Sequence, residues 1–526
     1  MNSAILALDI GSSGVKSTLV VRNPDDSVEY HPLHKIDEEI VSHQSDTMRV
    51  WAPKVLICKV TRAIHREIFR AKRINAFIEA IALTSTSSSM LLVDRQRILE
   101  NPRPMRWDDT QSTQEAMELE ALRKKTGVMP WMRPIPADSG IAKALFLMKH
   151  FKEPLSQPSV RVLEQWSFLN WWLTGKHVQA ESILSRKWGL LDGKAWSPPF
   201  SEEFEQLLGQ YVPHAKNGMH WFQEKFLPGP VVAAGETIGH VSQRLIQYLD
   251  FGVGNRPKVV AAPYDTAAQI LGLGAPTESF SSAVSFGSSL GVCKISEYDS
   301  AVPFGTLGPY PRIPCHRDMM LFDGIASCGS SLDYICKLYH ILKDDKPDFE
   351  QINKFLINTP IGSEGVTVLP FFKGGRRTAT NIPSDGSFEG LKLSVNQGHV
   401  VRAFFEAICY VIKNILADFE RVSSSRIKVL LVGGAAVQSR PFMQMLADVT
   451  NRSVNVSKYP NSALLGASIC AASGLNWHKD LRIAASEFAR ERDVIVPQHD
   501  ATSQYQELYE AFLKKYAGRL ELRNSR

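Results

Sequence analysis

The sequence predicts an α/β fold in at least two domains, and three observations carry the prediction. Apolar runs of strand length recur along the 526 residues, separated by segments whose apolar positions repeat at helical intervals. At roughly 150 residues per domain, a chain of this length holds about two to four domains, each able to bury its own core. A hairpin-rich pattern at the N-terminus restarts near residue 276. The expected division is therefore 1–275, 276–475 and a C-terminal helical tail, 476–526.

The elements follow in order. Ala4-Ile-Leu-Ala-Leu-Asp9 has strand character, Gly11-Ser12-Ser13-Gly14 supplies a turn, and Val15 to Val21 returns as a second strand. Val55 to Arg73 has helical spacing, and Ile81-Ala82-Leu83 and Met90 to Val93 read as strands. Glu115 to Lys125 and Ile141 to His150 read as helices on either side of the Pro- and Trp-containing loop from Val128 to Pro134. Pro198, Pro199, Pro213, Pro228 and Pro230 predict irregular structure over residues 195–230. Lys258 to Ala262 is a strand ending in Pro263-Tyr264-Asp265, and Thr266 to Leu273 reads as a helix of small residues.

Strand-like runs resume at Ala283 to Phe286 and Gly291 to Ile295. His399 to Val422 is a long amphipathic helix, and Lys428 to Val432 is a strand that stops at Gly433-Gly434 before a helix starting near Arg440-Pro441. Ala463 to Ala472 reads as a small-residue helix, and Tyr505, Leu508, Tyr509 and Phe512 mark a closing helix. No fixed-period repeat of about 20–50 residues is evident.

Composition excludes several classes. With 44% hydrophobic and 22% charged residues the chain is neither disordered nor collagenous. The formal charge of +6 is mild, and no block of five or six like charges forms a nucleic-acid arm; Arg376-Arg377 and Lys514-Lys515 read as solvated surface. No stretch reaches the ~18 apolar residues of a membrane span. The start, MNSAILALDIGSSG, lacks a basic region and a cleavage site, so secretion is not expected. Seven cysteines without a CxxC pair predict buried free thiols in a reducing, cytoplasmic compartment, and Cys315-His316 lacks the further ligands of a zinc site.

Four constellations could carry chemistry. In Asp9-Ile10-Gly11-Ser12-Ser13-Gly14-Val15-Lys16, a carboxylate at a strand end can hold Mg²⁺, small residues let backbone N–H groups approach a polyphosphate, and Lys16 can add a cation. A plain tight hairpin accounts for the same residues equally well. The spacing is neither a Walker A loop nor a dinucleotide fingerprint. A second turn of this type is Ser285-Phe286-Gly287-Ser288-Ser289-Leu290-Gly291, and the two could share a triphosphate. Asp265, between a strand and a helix, could accept a hydroxyl proton during phosphoryl transfer, or could be only a helix cap. Gly433-Gly434-Ala435-Ala436 would let a flat ligand such as adenine lie against the backbone, or could form only a strand-to-helix turn.

Taken in this order, Asp9-x-Gly-Ser-Ser, Asp265 after an apolar strand, Gly287-Ser-Ser and Gly433-Gly-Ala resemble the FGGY carbohydrate kinases of the actin-like, ribonuclease-H-like ATPase superfamily. Leu173-Thr-Gly175, Trp188-Gly-Leu-Leu-Asp192, Gly235-Glu-Thr-Ile-Gly239 and Gln444-Met-Leu-Ala-Asp448 are similar to recurrent family segments. Gly386-Ser-Phe-Glu-Gly-Leu391, His399-Val400 and Ala403 to Glu406 resemble the C-terminal signature. The resemblance implies two ribonuclease-H-like domains flanking a catalytic cleft, with sugar held mainly by the first and nucleotide by the second. It implies Asp265 as base and, with Asp9, as the placement of Mg²⁺. Phosphates would lie at Gly11, Ser12, Ser13, Lys16 and at Gly287, Ser288, Ser289, and adenosine at Gly433, Gly434 and Ala435.

Departures fall on the sugar side. Where xylulose kinases carry Gly-Gln-Met-His, this chain reads Ser85-Thr86-Ser87-Ser88, so the thioether and imidazole are absent and Ser87 and Ser88 become the candidate contacts. Arg106-Trp107-Asp108-Asp109 resembles the family's Trp-x-Asp segment, so Trp107 and Asp109 are further candidates; an exposed loop carboxylate is the alternative for Asp109. Tyr264 stands where Gly or His is common. The Lys-x-x-Trp signature appears as Lys143-Ala-Leu-Phe146, and Gly-Glu-Arg as Gly374-Gly375-Arg376. The expectation is an ATP- and Mg²⁺-dependent kinase of a small sugar, ketose or polyol, with no nucleic acid or membrane partner and a homodimer as candidate assembly. The rivals are a non-catalytic sugar- or nucleotide-binding regulator and an actin-like ATPase acting on proteins.

Overall fold

The first apolar run forms β1 (Asn2–Gly11), which pairs antiparallel with β2 (Gly14–Arg22), Gly11 opposite Gly14. Residues Ala4 to Leu8 are wholly buried because helices cover both faces of the sheet they join. The computed structural model describes residues 2–524 apart from 12–13, 38–40, 44, 46, 128–133, 191–199, 213–216, 253, 278–279, 298, 300–306 and 373–385. Ser12, Ser13 and the Gly374-Gly375-Arg376 segment lie outside the described residues, as do most of the Trp131 loop and Leu191-Asp192.

The chain divides into two units: Met1–Gly272 with Tyr310–Met319 and Asn461–Phe488, and Leu273–Pro309 with Met320–Pro460 and Ala489–Arg526. In the first, β3 (Val28–Tyr30), β4 (Ala76–Ser85), β5 (Thr237–His240) and β6 (Lys258–Ala261) complete a sheet of order β5-β6-β4-β1-β2-β3. Strands β1, β4 and β6 are parallel, and β5 runs antiparallel to β6. The helix Pro53–Arg73, opened by proline, buries Leu56, Val60, Ile64 and Ile68 against β2 and β4.

The helix Ser462–Gly474, assigned to the second domain in the sequence division, packs on β1, β4 and β6 of the first unit and on the helix Asp265–Gly272. Small residues make that approach feasible. A Cβ at Gly466 would lie 1.9 Å from the Ala268 carbonyl, and one at Gly272 would lie 1.9 Å from that of Ser462.

The second unit repeats the plan. Strands β7 (Ser281–Phe286), β8 (Leu290–Glu297), β9 (Asp318–Ile325), β10 (Val429–Gly434), β11 (Ser453–Ser457) and β12 (Arg492–Ile495) lie in the order β9-β8-β7-β10-β11-β12. Again a hairpin is followed by two parallel strands and an antiparallel closing strand. The long helix Gln397–Ser423, started by an Asn396–His399 capping box, buries Val401, Phe405, Ile408, Ile412 and Phe419 in its core. The closing helix His499–Asn524 buries Tyr505, Tyr509 and Phe512, whose rings meet Tyr410 at 6.4, 6.1 and 5.2 Å.

Two expectations need correction. The region 195–230 contains the helices Phe200–Tyr211 and Gly218–Phe226, held by stacked Phe200–Phe204 and Phe222–Phe226 pairs; the prolines punctuate these helices and do not prevent them. All seven cysteines are free, but Cys58 is exposed and Cys315 half-buried, whereas the other five are buried. Among the described residues no helix is long and apolar enough to cross a membrane.

Candidate active site

In the first unit the C-terminal ends of β1, β4 and β6 bring the chemistry together, the edge where parallel sheets commonly carry ligands. Asp9 near the end of β1 stands opposite Thr84 of β4 and Lys16 of β2. One of its oxygens, Oδ2, accepts from Lys16 Nζ and from Asn461 Nδ2, both at 3.0 Å. Asn461 also caps the helix Ser462–Gly474 by accepting from the Leu464 amide at 2.8 Å, so one side chain ties that helix terminus to Asp9. Thr84 Oγ1 donates to the Pro263 carbonyl at 2.7 Å, and Trp166 Nε1 donates to the Ala262 carbonyl at 2.9 Å, fixing the segment after β6.

That segment delivers buried Tyr264 and then Asp265, the first residue of its helix. Asp265 Oδ1 accepts from the next amide, Thr266, at 2.6 Å and from the Thr266 hydroxyl at 3.3 Å. A capping side chain characteristically takes the amide two or three residues beyond it, so this contact with the very next amide departs from ordinary capping. Burial, helped by the nearby Asp9 carboxylate, pushes the Asp265 carboxyl up to about 6 against the pull of the Thr266 hydrogen bonds and Lys187.

The hydroxyl-rich turn after β4, Thr86 to Ser89, is buried. Thr86 Oγ1 donates to Gln165 Oε1 at 3.0 Å. Ser88 adopts a left-handed backbone, φ 61°, and its peptide is held from both sides. Its amide donates to Glu164 Oε2 at 2.9 Å, and its carbonyl accepts from Lys143 Nζ at 2.9 Å. Lys143 also donates to the carbonyls of Arg106 at 2.6 Å and Trp107 at 3.2 Å. Burial pulls the Lys143 ammonium down to about 8 and raises the Glu164 carboxyl, whose other oxygen accepts from Trp188 Nε1 at 2.6 Å.

Asp109 is fully buried and engaged by the protein: Oδ2 accepts from the Arg49 amide at 2.7 Å and Gln111 Nε2 at 2.9 Å, and Oδ1 from the Gln111 amide at 3.2 Å. It is not the exposed loop carboxylate of the alternative reading. Arg106 forks onto Asp108 through two hydrogen bonds. A π-helical turn, Leu184–Trp188, places Lys187 Nζ 2.7 Å from Asp138 Oδ2. Burial alone would raise the Asp138 carboxyl, but Lys187 and Lys143 hold it down to about 2. Among the described residues, Ser88 Oγ and Trp107 Nε1 are buried without a hydrogen-bond partner.

In the second unit the matching strand edge carries both glycine turns, because Phe286 at the end of β7 stands opposite Gly434 at the end of β10. Exposed Gly287 and Ser288 follow β7, and their carbonyls accept from the Gly329 amide at 3.0 Å and the Cys328 amide at 2.8 Å at the head of the helix Gly329–Leu338. Ser289 is half-buried and its carbonyl accepts from the Gly287 amide at 3.0 Å. Gly434, at φ 103°, has no room for a side chain: a Cβ would lie 2.1 Å from the Phe286 carbonyl. Gly434 and Ala435 are exposed, Gly433 is buried, and Ser439 caps the helix Arg440–Thr450.

Sequence reasoning had not assigned Glu164, Asp138 or Lys187 to the site. It read Lys143 only as part of a signature and Asn461 only as the start of a small-residue segment. Adjacency of Lys187 to the family-like Trp188-Gly-Leu-Leu-Asp192 run was the available signal for that lysine. Among the described residues no group of three or more His, Cys, Asp or Glu could hold a metal.

Residues 283–475 match the model of the FGGY family of carbohydrate kinases, C-terminal domain. A xylulose kinase from Staphylococcus epidermidis is 22% identical over 524 residues, covering 98% of this chain and 97% of that protein. Among solved structures, a gluconate kinase from Lactobacillus acidophilus superposes with a TM-score of 0.80 at 18% identity, covering 99% of both chains. A ligand-bound xylulose kinase from the same organism gives 0.78 at 18% identity, covering 98% of both. The fold is that of these proteins, the two-domain actin-like ATPase fold with a mixed sheet in each domain.

Proposed function

We propose that this chain, which belongs to the FGGY family of carbohydrate kinases, transfers the γ-phosphoryl group of ATP to a hydroxyl of a small sugar or polyol, with Asp265 as the base. The observation that carries this reading is the placement of Asp265. It is a half-buried carboxylate at the head of a helix, on the strand edge that also bears Asp9 and the buried Thr86–Ser89 turn. A carboxyl raised to about 6 is still ionised at pH 7 and is a stronger proton acceptor than a solvated aspartate.

Asp265 orients the acceptor hydroxyl and takes its proton as the phosphorus–oxygen bond forms, while the leaving ADP carries away the electron pair of the broken bond. Ser87, Ser88, Trp107 and Tyr264 line the sugar side, and Asp109 supports the loop that carries Trp107. In the second unit the turns at Gly287–Ser289 and Gly433–Ala435 take the nucleotide, the first through backbone N–H groups and the second by offering a surface with no side chain larger than a methyl group. In the first unit, Gly11 to Ser13 and Lys16 are the residues assigned to phosphate.

The donor set fits magnesium: among the described residues Asp9 and Asp265 each keep one carboxylate oxygen without a hydrogen-bond partner, and Mg²⁺ favours one or two carboxylates together with waters and phosphate oxygens. When bound, the ion supplies neutralisation of phosphate charge. Seven free cysteines support a reducing, cytoplasmic setting. The test is ADP release from Mg²⁺–ATP across a panel of ketoses, aldoses and polyols. Stimulation by one class names the acceptor, and nucleotide binding without stimulation by any member would contradict the reading.

A further inference from the structure

We infer that Lys143 is a positioning residue for the acceptor sugar, clamping the Ser88 turn to the Trp107 loop so that two otherwise unpartnered donors face the substrate in fixed register. The inference rests on the kinase reading above and names how its sugar side is held together. Lys143 is fully buried on the helix Gly140–His150, and its three ammonium protons match three carbonyl acceptors drawn from two separate loops, Ser88 on one and Arg106 and Trp107 on the other.

The amide of Ser88 is meanwhile held by Glu164, so this left-handed peptide is fixed at both ends by buried side chains, Glu164 and Lys143. The helix bearing Lys143 has no slack. Its first residue, Gly140, lies so close to Trp188 that a Cβ would come within 2.4 Å of the indole, and Trp188 in turn donates to Glu164. Helix, turn and loop thus form one connected network.

Two of the three residues whose carbonyls share this ammonium, Ser88 and Trp107, also carry buried side-chain donors, Ser88 Oγ–H and Trp107 Nε1–H, without a hydrogen-bond partner among the described residues. Buried donors without acceptors are costly unless a ligand satisfies them. A pair of neutral donors suits hydroxyl or carbonyl oxygens of an uncharged sugar. With Lys143 and Lys187 already committed to protein acceptors, the pair gives no preference for a sugar acid.

The test is equilibrium sugar binding in the absence of nucleotide, measured by calorimetry on the full chain with the same sugar panel and kept separate from turnover. Ser88→Ala and Trp107→Phe remove donors that hydrogen-bond to no described residue, so each is expected to leave the melting temperature within a degree or two while weakening sugar binding about tenfold. Lys143→Met is expected to weaken it at least tenfold with ADP affinity unchanged, and in that background Ser88→Ala adds no further loss. Full additivity of Lys143→Met and Ser88→Ala, or native sugar affinity in both Ser88→Ala and Trp107→Phe, overturns the inference. If Lys143→Met does not fold, the two donor variants decide alone. A chain that binds sugar as described but never phosphorylates it refutes the kinase reading and leaves the clamp standing.

Discussion

Asp265 combines two demands that oppose each other. Burial makes its charged form costly, and the proposed proton transfer requires that form. Its folded carboxyl is raised to about 6, above the ordinary value of 3.8, so between these values the folded chain holds a proton that the unfolded chain has lost. Stability from this group is therefore present at low pH and falls as pH rises from about 4 to about 6. Asp265→Asn is expected to gain up to about 3 kcal/mol at pH 7 in denaturant unfolding without metal or nucleotide, and nothing at pH 3. The same substitution should lower kcat by about 10²–10⁴. A variant less stable than the native chain at pH 7 would contradict the burial argument. Asp265 was legible as a candidate because a strand ended and a helix began there. Whether it acts as an ordinary helix cap was not legible, since that depends on which amide the side chain meets. Lys143 was harder still, because its three acceptors lie on loops that only the tertiary fold assembles.

Elements in this protein are placed by what they lack as much as by what they carry. The helices Asp265–Gly272 and Ser462–Gly474 meet backbone to backbone through Gly272 and Gly466, and this contact sets where Asp265 and Asn461 stand relative to β1. Gly466→Ala is expected to cost about 1–3 kcal/mol by overpacking against the Ala268 carbonyl, seen as a lower urea midpoint with unchanged slope. Ser439→Ala should cost about 1 kcal/mol, since Ser439 Oγ caps the Phe442 amide at 3.3 Å and donates to Asn353 Oδ1 at 2.6 Å. The small-residue character of both glycine-bearing helices was visible in the sequence. Their pairing was not, because the segments are far apart in the chain and composition does not name a partner. The helices between the prolines at 198–230 were missed for a different reason: proline marks where a helix stops without saying that none lies between two stops.

At the scale of the whole molecule, one sheet plan occurs twice, a hairpin followed by two parallel strands and an antiparallel closing strand. The restart of the hairpin pattern near residue 276 made the duplication visible, although no short repeat exists at the residue level. In each unit the candidate groups sit at the carboxyl ends of the parallel strands, Asp9 and Asp265 in one, Gly287 and Gly434 in the other. Amide hydrogen exchange should therefore separate the ligands. Sugar is expected to slow exchange at 85–89 and 106–109, and ADP at 287–289 and 433–435. Protection of 433–435 by sugar alone would contradict this division.

The central claim is phosphoryl transfer to a sugar hydroxyl through Asp265. It is tested most directly by following the label from γ-³²P-ATP with the panel sugar that best stimulates ADP release, using the native chain and Asp265→Asn. The account predicts labelled sugar phosphate from the native chain, and its loss in the variant with ADP affinity unchanged. Label recovered only as inorganic phosphate, or equal sugar labelling by the variant, would contradict it.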